Sequence, residues 1–92
     1  MATSHEKFKT WVQTQAPYLD HLFDWEEKTC ETDLVQEYLG VASHGQAIMC
    51  RFAVGVWFGR NQENFDFIEA AGVLDQDQRL AIANWFMSPV WP

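Results

Sequence analysis

The chain has 92 residues, of which 48% are hydrophobic and 15% aromatic, and its formal net charge is −7 at pH 7. This length fits a single domain, because two halves would each be too small to bury a core. The acidic balance disfavours nucleic acid and anionic membranes as partners, since both bind through clustered Lys and Arg. The N-terminus carries no apolar stretch typical of a secretion signal, so we expect a cytoplasmic protein.

Three helices are predicted before the centre of the chain. Thr3 begins a T-x-x-E capping box, and apolar residues follow it at helical spacing until Pro17. Pro17 in turn suits the first turn of a second helix, which we expect to run to about Lys28. Thr32 is expected to cap a third, short helix that closes at Gly40.

The segment from Ala47 to Gly59 is apolar on every side apart from Arg51. A helix of that composition must be covered all round, so we expect it at the centre of the fold. Residues 51–58 also alternate like a strand, and a strand there would give an α+β fold. A capping box formed by Ser43 and Gln46 favours the helix, and no second segment offers a convincing strand to pair with.

Two more helices are predicted after a polar loop. Asp66 can cap a short helix that ends at Gly72. Asp75 can cap a last helix that stops before Pro89. The predicted fold is therefore all-α: a compact single helical domain over residues 1–92, with five or six short helices around the central apolar helix.

Acidic side chains concentrate between residues 20 and 37, where seven acids accompany one Lys. If the second helix extends far enough, spacings of three and four residues place four of these acids on one stripe. Such a stripe either docks on a basic protein partner, mimics the phosphates of nucleic acid, or is only the solvated face of an acidic protein. The stripe residues are Asp20, Asp24, Glu27 and Glu31.

Arg51 is the one charged residue of the central segment. It either forms an internal ion pair, with Asp66 or Glu69 as partner, or holds a carboxylate or phosphate ligand with its guanidinium. In the second case, the ligand occupies an aromatic pocket and is oriented there by Arg51. We expect that pocket to be lined by Trp57, Phe58 and Trp85.

The C-terminal tail is rich in large apolar residues and ends on Trp91 and Pro92. A free tail of this kind is unfavourable in water, so Trp91 is expected either to cover the core or to anchor an interface. Of these two roles the core lid is favoured, and the aromatic excess on so small a chain separately leads us to expect a homodimer.

The sequence carries no catalytic, metal or nucleotide motif. Three His residues lack metal-ligand spacing, and no cofactor is predicted. Acids around Cys30 and apolar residues around Cys50 predict unreactive free thiols. An enzyme is disfavoured because no nucleophile and base are paired in the pattern.

Two functions remain in contention. The leading hypothesis is a non-enzymatic protein-protein interaction module, an adaptor or inhibitor that associates with itself. The alternative is a small-molecule binding protein that uses the aromatic pocket and Arg51. In general character the chain resembles the short proteins of phages and mobile gene cassettes.

Overall fold

The computed structural model describes residues 2–92. These residues form six helices, which confirms the all-α prediction. One short β-hairpin, which was not predicted, lies between the second and third helices. The radius of gyration is 12.3 Å, which is about the value of a compact chain of this length. The elements in chain order are α1 (Ser4–Gln15), a 3-10 helix (Pro17–Leu22), β1 (Phe23–Asp24), β2 (Thr29–Cys30), α2 (Thr32–Val41), α3 (His44–Phe58), α4 (Phe67–Val73) and α5 (Gln76–Met87).

Helix α3 is the central apolar helix, as predicted. Eight of its fifteen residues are buried, and seven of these belong to one core cluster with residues from every other helix. Ser43 caps the helix, since its hydroxyl oxygen accepts a 3.3 Å hydrogen bond from the N–H of Gln46. The alternative of a strand at residues 51–58 is wrong, because the helix continues through all of them.

The C-terminus of α3 is a Schellman motif that turns the chain back over the helix. The N–H of Arg60 donates to the carbonyl of Gly55 at 3.0 Å, and the N–H of Gly59 donates to the carbonyl of Val56 at 3.2 Å. Gly59 has a φ of 70°, a left-handed conformation that glycine adopts without steric cost. A Cβ on Gly55 would lie 3.3 Å from the Arg60 carbonyl oxygen, so glycine permits the close approach of the loop.

The prediction of a second helix over residues 17–28 is wrong for the second half of that range. The chain forms a 3-10 helix only as far as Leu22 and then enters the β1–β2 hairpin. The two strands are antiparallel, and Phe23 lies opposite Cys30. The four acids of the predicted stripe therefore do not share one face of a helix.

Asp24 explains why the helix stops. Its carboxylate oxygen Oδ1 accepts hydrogen bonds from the N–H groups of Glu26 at 3.2 Å and Glu27 at 3.0 Å. Such an Asx turn offers the backbone an alternative to helical hydrogen bonds. Lys28 completes the turn with a φ of 57°. A continued helix would also have brought the like charges of Asp20 and Asp24 together on one face, because residues four apart are neighbours on a helix.

The predicted caps are confirmed more often than the predicted helix ends. Gly40 and Gly72 were expected to end α2 and α4 but lie inside them, one residue before each helix ends. Thr32 is the first residue of α2 rather than its cap. The predicted caps whose side chains do accept a backbone hydrogen bond are Thr3, Ser43, Asp66 and Asp75.

Candidate functional site

A groove of about 300 Å³ lies between α3, α5 and the C-terminal tail, and we call it the aromatic groove. Six aromatic residues line it, together with Arg51, Arg60 and Asn61. Successive rings contact one another at centroid distances between 4.9 and 6.4 Å. In order of contact the rings are Trp91, Trp85, Phe52, Phe65, Phe67 and Phe86.

Local hydrogen bonds hold the loop at one side of the groove. The side-chain amide of Asn61 donates to the carbonyl of Phe65 at 2.9 Å, and its carbonyl oxygen accepts from the N–H of Phe65 at 2.6 Å. Together with the Schellman motif, this double hydrogen bond fixes the loop between α3 and α4 at both of its ends. The ring of Phe65 is thereby kept 5.2 Å from that of Phe52 on α3.

The C-terminal tail forms the other side of the groove. The indole N–H of Trp85 donates to the carbonyl of Val90 at 3.0 Å and draws the tail onto α5. Trp91 then packs edge-on against Trp85, at 5.2 Å and an interplanar angle of 87°. The ring of Trp91 covers Trp85 in part, while 53% of Trp91 is still exposed. Both predicted roles of Trp91, core lid and interface anchor, are compatible with this position.

Of the four residues expected to line a ligand pocket, the structure brings two together in the aromatic groove and places the other two outside it. Arg51 and Trp85 both line the aromatic groove. Trp57 instead packs beside Phe23, with ring centroids 5.1 Å apart, and Phe58 is exposed outside the groove. A helix turns about 100° per residue, so Trp57 falls on the opposite side of α3 from the groove-lining glycines.

The predicted ion pair of Arg51 is not formed. Among residues 2–92 the one ion pair joins His44 to Glu69 at 3.6 Å, and both side chains are largely exposed. Asp66, the other expected partner, accepts the N–H of Glu69 at 2.9 Å as the cap of α4. Asp66 and Glu69 instead line a polar depression, together with Glu63 and Arg51. Arg51 is half-buried, so water can solvate its charge without a fixed partner.

A second groove, of about 410 Å³, lies between α4 and α5. It adjoins the aromatic groove, because Phe67 and Phe86 line both. Its one polar side chain within the described part of the chain is Arg79, whose guanidinium donates to the carbonyl of Leu74. We call this surface the α4–α5 face, formed by Phe67, Ala70, Ala71, Leu74, Arg79, Ile82, Ala83, Phe86 and Met87.

Three of the four acids proposed to bind a partner have structural roles. Asp20 accepts the indole N–H of Trp25 at 2.8 Å, and Glu31 accepts the hydroxyl of Thr29 at 3.0 Å. Asp24 forms the turn of the hairpin. A basic partner at this acidic surface remains a prediction, and Glu27 is the exposed acid of the four whose carboxylate accepts no hydrogen bond from residues 2–92.

Both cysteines are free thiols with raised pKa values. Burial, with a smaller contribution from the carboxylate of Glu31, raises the pKa of Cys30 to about 11. Burial likewise raises the pKa of Cys50 to about 12. Thiols with these pKa values carry almost no thiolate near neutral pH and are poor nucleophiles. Of the neighbouring acids expected to raise the pKa of Cys30, Glu31 does so, although burial has the larger effect.

Within residues 2–92 the structure contains neither a metal-binding cluster nor a membrane-spanning helix. Within residues 2–92, no three His, Cys, Asp or Glu side chains are grouped so as to hold a metal ion. In the same part of the chain, every helix is too short or too polar to cross a membrane. No protein-family model, curated protein or solved structure matches the chain. The function of the chain is therefore inferred from the residues that line its two grooves.

Proposed function

We propose that this protein is a non-enzymatic protein-interaction module that forms a homodimer through the α4–α5 face. The observation that carries the proposal is the exposure of large apolar side chains around one groove. Phe67 is 56% exposed, Phe86 is 64% exposed and Met87 is 82% exposed. Contiguous apolar surface of this kind is uncommon on a monomer and is typical of interfaces.

The composition of the α4–α5 face supports the proposal. The buried centres of protein interfaces are enriched in aromatic residues, Met and Arg and are depleted in carboxylates. This face holds two Phe, one Met and Arg79, and no Asp or Glu of residues 2–92 lines it. Leu80, Ala83 and Met87 follow at spacings of three and four along α5, so the apolar stripe extends beyond the groove.

The charge distribution permits a second copy of the chain at this face. Each copy has a net charge of −7, and an interface that included its acids would bring like charges together. The α4–α5 face lacks carboxylates, so two copies can approach there with their acidic surfaces turned away. Salt screens the remaining repulsion between exposed acids, since the Debye length is about 8 Å at physiological ionic strength. A two-fold axis would make the same face serve both copies.

Methionine methyl signals provide a test with an internal control. Met87 lies on the α4–α5 face, whereas Met49 is fully buried in α3. A dissolved paramagnetic probe broadens the signals of methyl groups that solvent reaches. We expect the Met87 signal to be protected in the wild type and broadened in a Phe86→Asp variant, with Met49 protected in both. Strong broadening of Met87 in the wild type at high concentration would contradict the proposal.

A further inference from the structure

The aromatic groove has a chemical character different from that of the α4–α5 face. Two cationic side chains, Arg51 and Arg60, border its apolar walls, and no carboxylate of residues 2–92 lines it. Arg51 also borders the polar depression that contains Glu63, Asp66 and Glu69, but these acids do not line the groove itself, so its two arginines are complementary to an anionic ligand.

Both arginines have donors to offer. The guanidinium of Arg51 has no ion-pair partner within residues 2–92. Arg60 donates through Nε to the side-chain oxygen of Gln62 at 3.2 Å, which leaves its two terminal nitrogens for a ligand. A planar guanidinium binds a carboxylate through two parallel hydrogen bonds, which is the geometry that favours Arg over Lys at such sites.

We infer that the aromatic groove binds a small aromatic carboxylate, with its ring among the aromatic walls and its carboxylate on Arg51 and Arg60. The volume of about 300 Å³ lies at the small end of the range for ligand sites, so it fits a ligand of one or two rings. The ring gains edge-to-face and stacked contacts with the walls, and such contacts add to the burial of apolar area.

The walls favour this ligand over other anions. A phosphate group would seek polar donors around most of its surface, whereas Asn61 is the one uncharged polar side chain among the described residues of this groove. A flexible alkyl carboxylate would lose rotational freedom on binding, which a planar ring does not. The Schellman motif and the paired hydrogen bonds of Asn61 with Phe65 hold one wall in place before a ligand arrives.

The first experiment compares two ligands on the wild-type protein. Naphthoate and naphthamide have the same ring system, but only naphthoate carries a charge at neutral pH. Isothermal titration calorimetry should show naphthoate binding at least ~10-fold more tightly than the amide, because charge-assisted hydrogen bonds are roughly twice as strong as neutral ones. Equal affinity for both, or no binding of naphthoate at millimolar concentration, would overturn the inference.

The second experiment tests whether Arg51 of the groove recognises the charge of the ligand. An Arg51→Gln variant should bind naphthoate at least ~10-fold more weakly than the wild type and bind naphthamide equally well. Lys7→Gln is the matched control, because Lys7 is an exposed cation on α1 outside the groove. Naphthoate should bind this control as tightly as the wild type. Equal weakening in both variants would show only a loss of net positive charge and would overturn the assignment to Arg51.

Discussion

The indole N–H of Trp25 donates a 2.8 Å hydrogen bond to the carboxylate oxygen Oδ1 of Asp20. The same oxygen accepts a 3.0 Å hydrogen bond from the side-chain amide of Gln13 on α1. Trp25 also stacks on Phe23, with ring centroids 5.0 Å apart. One carboxylate therefore ties the 3-10 helix, the hairpin and α1 together, at the point where the sequence predicted an uninterrupted helix.

Removal of this carboxylate should destabilise the fold. We expect Asp20→Ala to lower the free energy of unfolding by about 1–2 kcal/mol, because two donors lose a charged acceptor. Glu27→Ala, at an exposed acid in the turn, should change it by less than about 0.5 kcal/mol. Urea unfolding of the two variants measures both values. Equal effects would mean that the hydrogen bonds of Asp20 contribute nothing specific.

A basic partner at the acidic surface must be tested at Glu27, because Asp20 and Asp24 accept hydrogen bonds that hold the fold together. Charge reversal at Asp20 or Asp24 would disturb the fold as well as any interaction. Glu27→Lys changes only the surface charge, so it should slow association with a basic protein and leave the unfolding curve unchanged. Binding kinetics at low and high salt provide the measurement. A partner that binds the variant at the wild-type rate does not use this surface.

Two glycines should respond to alanine in opposite directions. Gly59 ends α3 with a φ of 70°, so Gly59→Ala should destabilise the protein by roughly 1–2 kcal/mol. Gly40 lies inside α2 with open space where a Cβ would be placed, so Gly40→Ala should stabilise by about 0.5–1 kcal/mol. Thermal unfolding of the two variants gives the signs directly. A stabilising Gly59→Ala would contradict the left-handed end of α3.

Stability should fall at alkaline pH. Burial raises the pKa of Cys50 from 9.0 to about 12 and that of Tyr38 from 10.0 to about 12. The folded state therefore holds these protons more tightly than the unfolded chain does. Their contribution to stability is complete below pH 9 and is lost as the pH rises toward 12. Unfolding midpoints measured across this range should show a plateau and then a decline, and the decline should be shallower in Cys50→Ala. An identical slope in the variant would exclude a role for Cys50.

Much of the fold follows from local signals in the sequence. The caps at Thr3, Ser43, Asp66 and Asp75 mark four of the five α-helices, because each offers a short side-chain acceptor to the first turn. The hairpin was missed because Leu19, Leu22 and Phe23 are spaced as on an amphipathic helix. The signal for the turn is Asp24, whose side chain competes with the helical backbone.

The grooves were predictable only in part. Arg51 and Trp85 were expected to meet, and both line the aromatic groove. Helical rotation excludes Trp57 from that groove once residues 44–58 are known to be helical. The α4–α5 face could not be foreseen in the same way, because it depends on how two short helices pack. Spacing along α5 marks Phe86 and Met87 as apolar but does not show that nothing covers them.

The most direct test of the proposed homodimer is the mass in solution of three proteins. Phe86→Asp places a charge on the α4–α5 face, whereas Val41→Asp places one at the end of α2, on a side chain that is 80% exposed. Sedimentation equilibrium at micromolar concentration should give about twice the 10.7 kDa chain mass for the wild type and for Val41→Asp. Phe86→Asp should sediment as a monomer. A monomeric wild type, or dissociation of both variants alike, would contradict an interface at the α4–α5 face.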